Sequence, residues 1–67
     1  MVNWRIEVDR LWRDPQARSN FEFEYRIAPL ATDEAGLDLQ KSIGYVELYH
    51  GAFLQWGLSQ LHASGRL

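Results

Sequence analysis

Cysteine is absent from this 67-residue chain, which rules out a disulfide framework and any zinc site built on thiolates. No stretch approaches the roughly 18 to 20 consecutive apolar residues that a membrane span needs, so no membrane partner is expected. The opening Met1-Val2-Asn3-Trp4-Arg5 contains no apolar h-region, so no secretory leader is expected and the expected compartment is the cytoplasm. A surplus of positive charge is missing too. Seven basic residues face nine acidic ones, for a net charge of -2, which is unsuited to general phosphate neutralisation. The sequence has no P-loop, no G-x-G-x-x-G and no G-x-S-x-G. His50 and His62 are twelve residues apart, unlike the i, i+4 pair that ligates zinc from one helix. No catalytic residue, metal or cofactor is therefore expected.

What the chain does have is aromatic residues: three Trp, three Tyr and three Phe. Such a length supports one domain, residues 1–67, with a small core. With disulfides excluded, a small domain relies on dense aromatic packing or on a partner chain.

Two stretches alternate with a period of two. Val2, Trp4, Ile6, Val8 and Trp12 share one face of the first, against Asn3, Arg5, Glu7 and Asp9, with Leu11 out of phase. Phe21, Phe23, Tyr25 and Ile27 share one face of the second, against Asn20, Glu22, Glu24 and Arg26. This alternation predicts half-buried antiparallel strands, and Asp14-Pro15 between them predicts a turn. The expected element over residues 2–28 is a β-hairpin in which Phe23 and Tyr25 are buried and Glu22 and Glu24 exposed. Residues 29–36 read as a connector in which Thr32 or Asp33 caps a helical turn, with a short third strand at 37–40 as the alternative. Residues 42–63 read as the main helix, with Ser42 as cap and Gly65 as stop. The expected fold class is α+β: an N-terminal hairpin packed on a C-terminal amphipathic helix.

On that helix Tyr45, Val46, Tyr49, Ala52, Phe53, Trp56 and Gly57 fall in one arc, which Ile43, Leu54 and Leu61 extend to roughly half the circumference or more, wider than the ~100° stripe that one packing partner needs. A hairpin is a narrow layer, so part of the arc, Tyr45, Tyr49, Ala52 and Trp56, is expected to face another molecule, most simply a second copy. A hairpin that curls around the helix would instead bury the whole arc. Arg10, Arg13 and Arg18 crowd the expected hairpin tip and form a second candidate surface, for phosphate or carboxylate. Glu7, Asp9 and Asp14 lie nearby to neutralise them.

The expected function is a small protein-binding module, a self-associating stand-alone inhibitor or adaptor, and not an enzyme. Its size matches that of phage-encoded viral inhibitors of host machinery, anti-CRISPR proteins among them, although no motif here matches such a family. The alternatives are a nucleic-acid-binding regulator that uses the hairpin arginines and a small structural subunit of a larger assembly such as a virion.

Overall fold

The computed structural model describes residues 3–67, which form four α-helices with no strand among them: α1 Trp4–Arg13, α2 Pro15–Tyr25, α3 Glu34–Ser42 and α4 Tyr45–Ala63. The expected α+β hairpin fold is thus incorrect. Val2, the first residue of the expected strand face, lies outside the described residues.

Both misread segments satisfy a helix better than a strand. In α1, Trp4, Val8, Leu11 and Trp12 are spaced i, i+4, i+7 and i+8, and all four pack into or against the core. Leu11, out of phase in a strand, is in phase here. The Asn3 side chain accepts a hydrogen bond from the Arg5 backbone N–H at 3.1 Å and caps the helix. Asp14-Pro15 does turn the chain, but into another helix. Asp14 Oδ1 accepts from the Gln16 N–H at 3.0 Å, and Pro15 occupies the first turn, where its missing N–H costs nothing. In α2, residues two apart lie about 200° apart around the axis, which splits the expected aromatic face. Phe21 is fully buried, whereas Phe23 is 86% exposed and Tyr25 is exposed as well. Arg26 ends α2 in the left-handed region at φ 52°, ψ 49°.

Between α2 and α3 the helical alternative is the correct one and the third strand is not. Asp33 caps α3 by accepting from the Gly36 N–H at 2.9 Å, and residues 37–40 lie inside that helix. The linker is tied down by Gln40, whose Oε1 accepts from the Ala31 N–H at 2.9 Å and whose Nε2 donates to the Pro29 carbonyl at 3.3 Å. The Tyr45 hydroxyl donates to the Ala28 carbonyl. The long C-terminal helix begins at Tyr45 and not at Ser42, because Ser42 ends α3 and Gly44, at φ 76°, takes the cap position. It ends at Ala63, and Gly65 at φ 75° lets the Arg66 N–H reach back to the Leu61 carbonyl at 2.8 Å.

The core is a cluster of Val8, Ala17, Phe21, Tyr49, Phe53, Trp56 and Leu61, drawn from α1, α2 and α4. Phe21 sits at its centre. Its ring lies 5.1 Å from Tyr49 and from Phe53 in edge-to-face contact, and 5.7 Å from Trp56. Each such pair adds about 0.5 to 1.5 kcal/mol beyond area burial. The helices α1 and α4 cross at Val8 and Gly57, where a Cβ on Gly57 would stand 3.2 and 3.3 Å from the two Val8 methyls. Glycine at this point therefore sets the approach of the two backbones.

The helix α3 contributes nothing to this cluster. None of its residues is buried, and it packs chiefly on α4. The molecule is correspondingly long, 40 × 21 × 17 Å. Its accessible surface is 5083 Å², against about 4,400 Å² for a compact monomer of 7.8 kDa.

Candidate binding groove between α1 and α4

The helices that were expected to be strands cover the aromatic arc of α4. Tyr49 and Trp56 are 1% and 4% exposed, and Tyr45 and Ala52 are half-buried against the same core. The four-residue stripe expected to face a second copy is therefore packed inside its own chain, with α1 and α2 supplying the layer that a hairpin would have lacked.

The phenol and indole of that stripe are satisfied by α2. The Tyr49 hydroxyl donates to Glu22 Oε2 at 2.8 Å, and Trp56 Nε1 donates to Glu24 Oε2. Glu22 and Glu24 thus point toward the core's polar edge. Burial, followed by the hydrogen bond to Glu22, holds the Tyr49 phenol far above its ordinary pKa, and the positive charge of Arg18 only partly opposes this. Burial and the Glu22 carboxylate raise the Tyr45 phenol too.

The three arginines flank the corner between α1 and α2, Arg10 and Arg13 in the last turn of α1 and Arg18 near the start of α2. Arg10 pairs with Glu7 at 2.9 Å and Arg13 with Asp9 at 3.1 Å, both along α1. Arg18 lies on α2, where its Nε is buried without a hydrogen-bond partner among the described residues. Two of the three guanidiniums thus pair with carboxylates along α1, and no hairpin is present among the described residues to project them.

The sequence pattern missed an open groove of about 430 Å³ along the α1–α4 contact. Its floor is Val8 and Phe53, both buried. Its walls are Trp4 and Trp12 from α1 and Leu54 from α4, all half-buried. Arg5, Asp9 and His50 form an exposed rim. Trp12 is fixed by edge-on contacts with Phe53 at 5.0 Å and His50 at 5.5 Å, and the Arg5 guanidinium lies 5.0 Å from the Trp4 ring centroid. The signal was present in the spacing of Trp4, Val8 and Trp12, four residues apart on one helical face, but period-two alternation already accounted for it. An apolar floor with a charged rim can hold an apolar side chain and orient what surrounds it. His62 is exposed at the far end of α4, away from this groove's His50. No helix among the described residues is long and apolar enough to cross a membrane. Comparison with family models, with characterised proteins and with solved structures finds no match for this chain.

Proposed function

We propose that the chain is a protein-binding module that takes an apolar anchor of its partner into the α1–α4 groove, and that it acts by occupying or bridging partner surfaces and not by catalysis. One observation carries this reading: two half-buried tryptophans, eight residues apart on α1, flank a groove with a buried apolar floor and a charged rim. Tryptophan and arginine dominate the energetics of protein interfaces, and anchors dock best where a polar rim excludes water. A small helical domain needs no more than this to act as an inhibitor or adaptor.

The experiment is affinity capture from the native host with three immobilised proteins: wild type, Trp4→Ala and Phe23→Ala. Phe23 is exposed and does not line the groove, so its variant controls for loss of an aromatic residue elsewhere. A partner retained by wild type and Phe23→Ala but lost by a folded Trp4→Ala supports the proposal. Equal retention on all three removes the groove from consideration.

A further inference from the structure

Residues 33–48 hold four acids, Asp33, Glu34, Asp38 and Glu47, against the single base Lys41, a net charge of -3 within a chain whose total is -2. These charges also differ from the others in what they do. Among the described residues every acid outside this segment has a task. Glu7 and Asp9 pair with arginines, Asp14 caps α2, and Glu22 and Glu24 accept from Tyr49 and Trp56. Within the segment Asp33 caps α3, but Glu34, Asp38 and Glu47 are exposed and make no ion pair or side-chain hydrogen bond among the described residues.

The same helix carries an apolar row with no cover. Ala35 and Leu39 lie on one side of α3 and Ile43, the residue that caps its C-terminal end, continues their four-residue spacing; all are exposed, Leu39 at 64% and Ile43 at 70%. Glu34 and Asp38 form the next row round the helix at the same spacing. Leu48, in the first turns of α4, is exposed as well. Apolar row, acidic row and an element that adds nothing to the core coincide in one arm.

We infer that the outer face of α3 is a second docking surface, for a basic amphipathic helix of a partner protein. An apolar row at i, i+4, i+8 complements the apolar face of another helix. The unpartnered Glu34 and Asp38 beside it select lysine or arginine on the flank of that helix. A second copy of this chain is the wrong occupant, because two-fold pairing places the same acidic row against itself. An anionic lipid surface is repelled for the same reason. The inference is independent of the groove, which involves other residues.

The probe is a synthetic helix of about 18 residues (five turns) with leucine along one face and lysine along the other. The comparison peptides are a scrambled sequence of equal charge and one with glutamate replacing lysine. Binding is read by fluorescence anisotropy and by amide shift mapping on the full chain. The expected result is saturable binding that weakens with salt and is mapped to residues 33–48, with neither comparison peptide competing. Leu39→Ser with Ile43→Ser should weaken it about tenfold or more, and Glu34→Gln with Asp38→Asn about 2- to 10-fold. These positions are exposed, so the fold should persist, as circular dichroism would check. Trp4→Ala should leave this binding unchanged, so failure here is distinguishable from failure of the groove. The inference is overturned if no shifts appear, if they map to the α1–α4 groove, or if the scrambled peptide binds equally. Self-association of the chain in sedimentation, abolished by the Leu39→Ser, Ile43→Ser pair, would identify a second copy as the occupant and overturn it as well.

Discussion

Phe21 and Phe23 are two residues apart and chemically identical, so any difference between them reports the geometry of the backbone that carries them. On a strand they would share a face and cost the same to remove. On α2 they point about 200° apart, and one is 0% exposed while the other is 86% exposed. Phe21→Ala deletes the ring that touches Tyr25, Tyr49, Phe53 and Trp56. A buried Phe→Ala change costs about 3 to 5 kcal/mol, and a domain of this length holds about 3 to 10 kcal/mol in all. At about 4 to 8 °C per kcal/mol, Phe21→Ala lowers the melting temperature by tens of degrees or abolishes the transition. Phe23→Ala changes stability by less than about 0.5 kcal/mol, and alanine's better helix propensity offsets part of any loss. The assay is thermal and urea unfolding of both variants followed by ellipticity at the helical band, with Phe21→Leu as a milder step expected to fall between Phe21→Ala and wild type. Equal losses for Phe21→Ala and Phe23→Ala, or a Phe21→Ala variant that melts like wild type, would refute the four-helix packing.

Other perturbations test other joints. Gly57→Ala gains about 1 kcal/mol of helix propensity, but its Cβ meets the Val8 methyls at 3.2 and 3.3 Å, and overpacking costs about 1 to 3 kcal/mol. The expected net loss is about 1 kcal/mol in urea denaturation, and Gly57→Ala should be less costly in a Val8→Ala background than in wild type; additive single effects would contradict the close crossing. Arg26 sits in the left-handed region at φ 52°, so Arg26→Gly should raise stability by about 0.5 to 1 kcal/mol, whereas an unchanged or lower urea midpoint would count against that cap geometry. The Tyr49 phenol titrates higher in the folded chain than in the unfolded one. The stability this contributes is fully present below the unfolded value of about 10 and is lost as pH rises above it, where the unfolded chain releases a proton that the native state retains. Urea midpoints should therefore fall from about pH 9 upward. In Tyr49→Phe that fall should be shallower, after a cost at neutral pH of about 1 to 3 kcal/mol for the lost hydrogen bond to a carboxylate. A slope identical to wild type would show that Tyr49 is not the group responsible.

The C-terminal half of the fold was legible from residue pattern and the N-terminal half was not. The 3.6-residue period over 45–63 is carried by an arc running from Tyr45 through Tyr49, Phe53 and Trp56 and has no competing reading; only its start is displaced, because a serine suited to capping stands inside the preceding helix. In residues 4–13 and 15–25 the aromatic residues fall on alternate positions, and a period of two and a period of 3.6 agree over short windows. Two local features favoured the helix. Leu11 fits only the helical face, and Asp followed by Pro is an N-cap with its first-turn residue as much as a turn. The mistake in fold carried over to the site. A hairpin leaves Tyr49 and Trp56 uncovered and so points to them as an interface, whereas the helical packing buries both and leaves open, among other surfaces, the groove beside Trp4 and Trp12 and the outer row of α3. No pattern in Ala35, Leu39 and Ile43 alone distinguishes a covered helix face from an open one; that depends on which elements remain to cover it.

Asp14 closes α1 and opens α2 at once: its N–H donates to the Leu11 carbonyl at 3.1 Å while its carboxylate receives the Gln16 N–H. The joint has no loop residue to absorb a change in length. One residue inserted between Asp14 and Phe21 would turn every later position of α2 by about 100° and advance it by about 1.5 Å, taking Phe21 out of the core and Glu22 and Glu24 away from Tyr49 and Trp56. The reading frame of this corner is therefore fixed by geometry. Exposed side chains at this corner can change without moving the core, whereas any change in the seven-residue interval from the capping aspartate to the central phenylalanine displaces it.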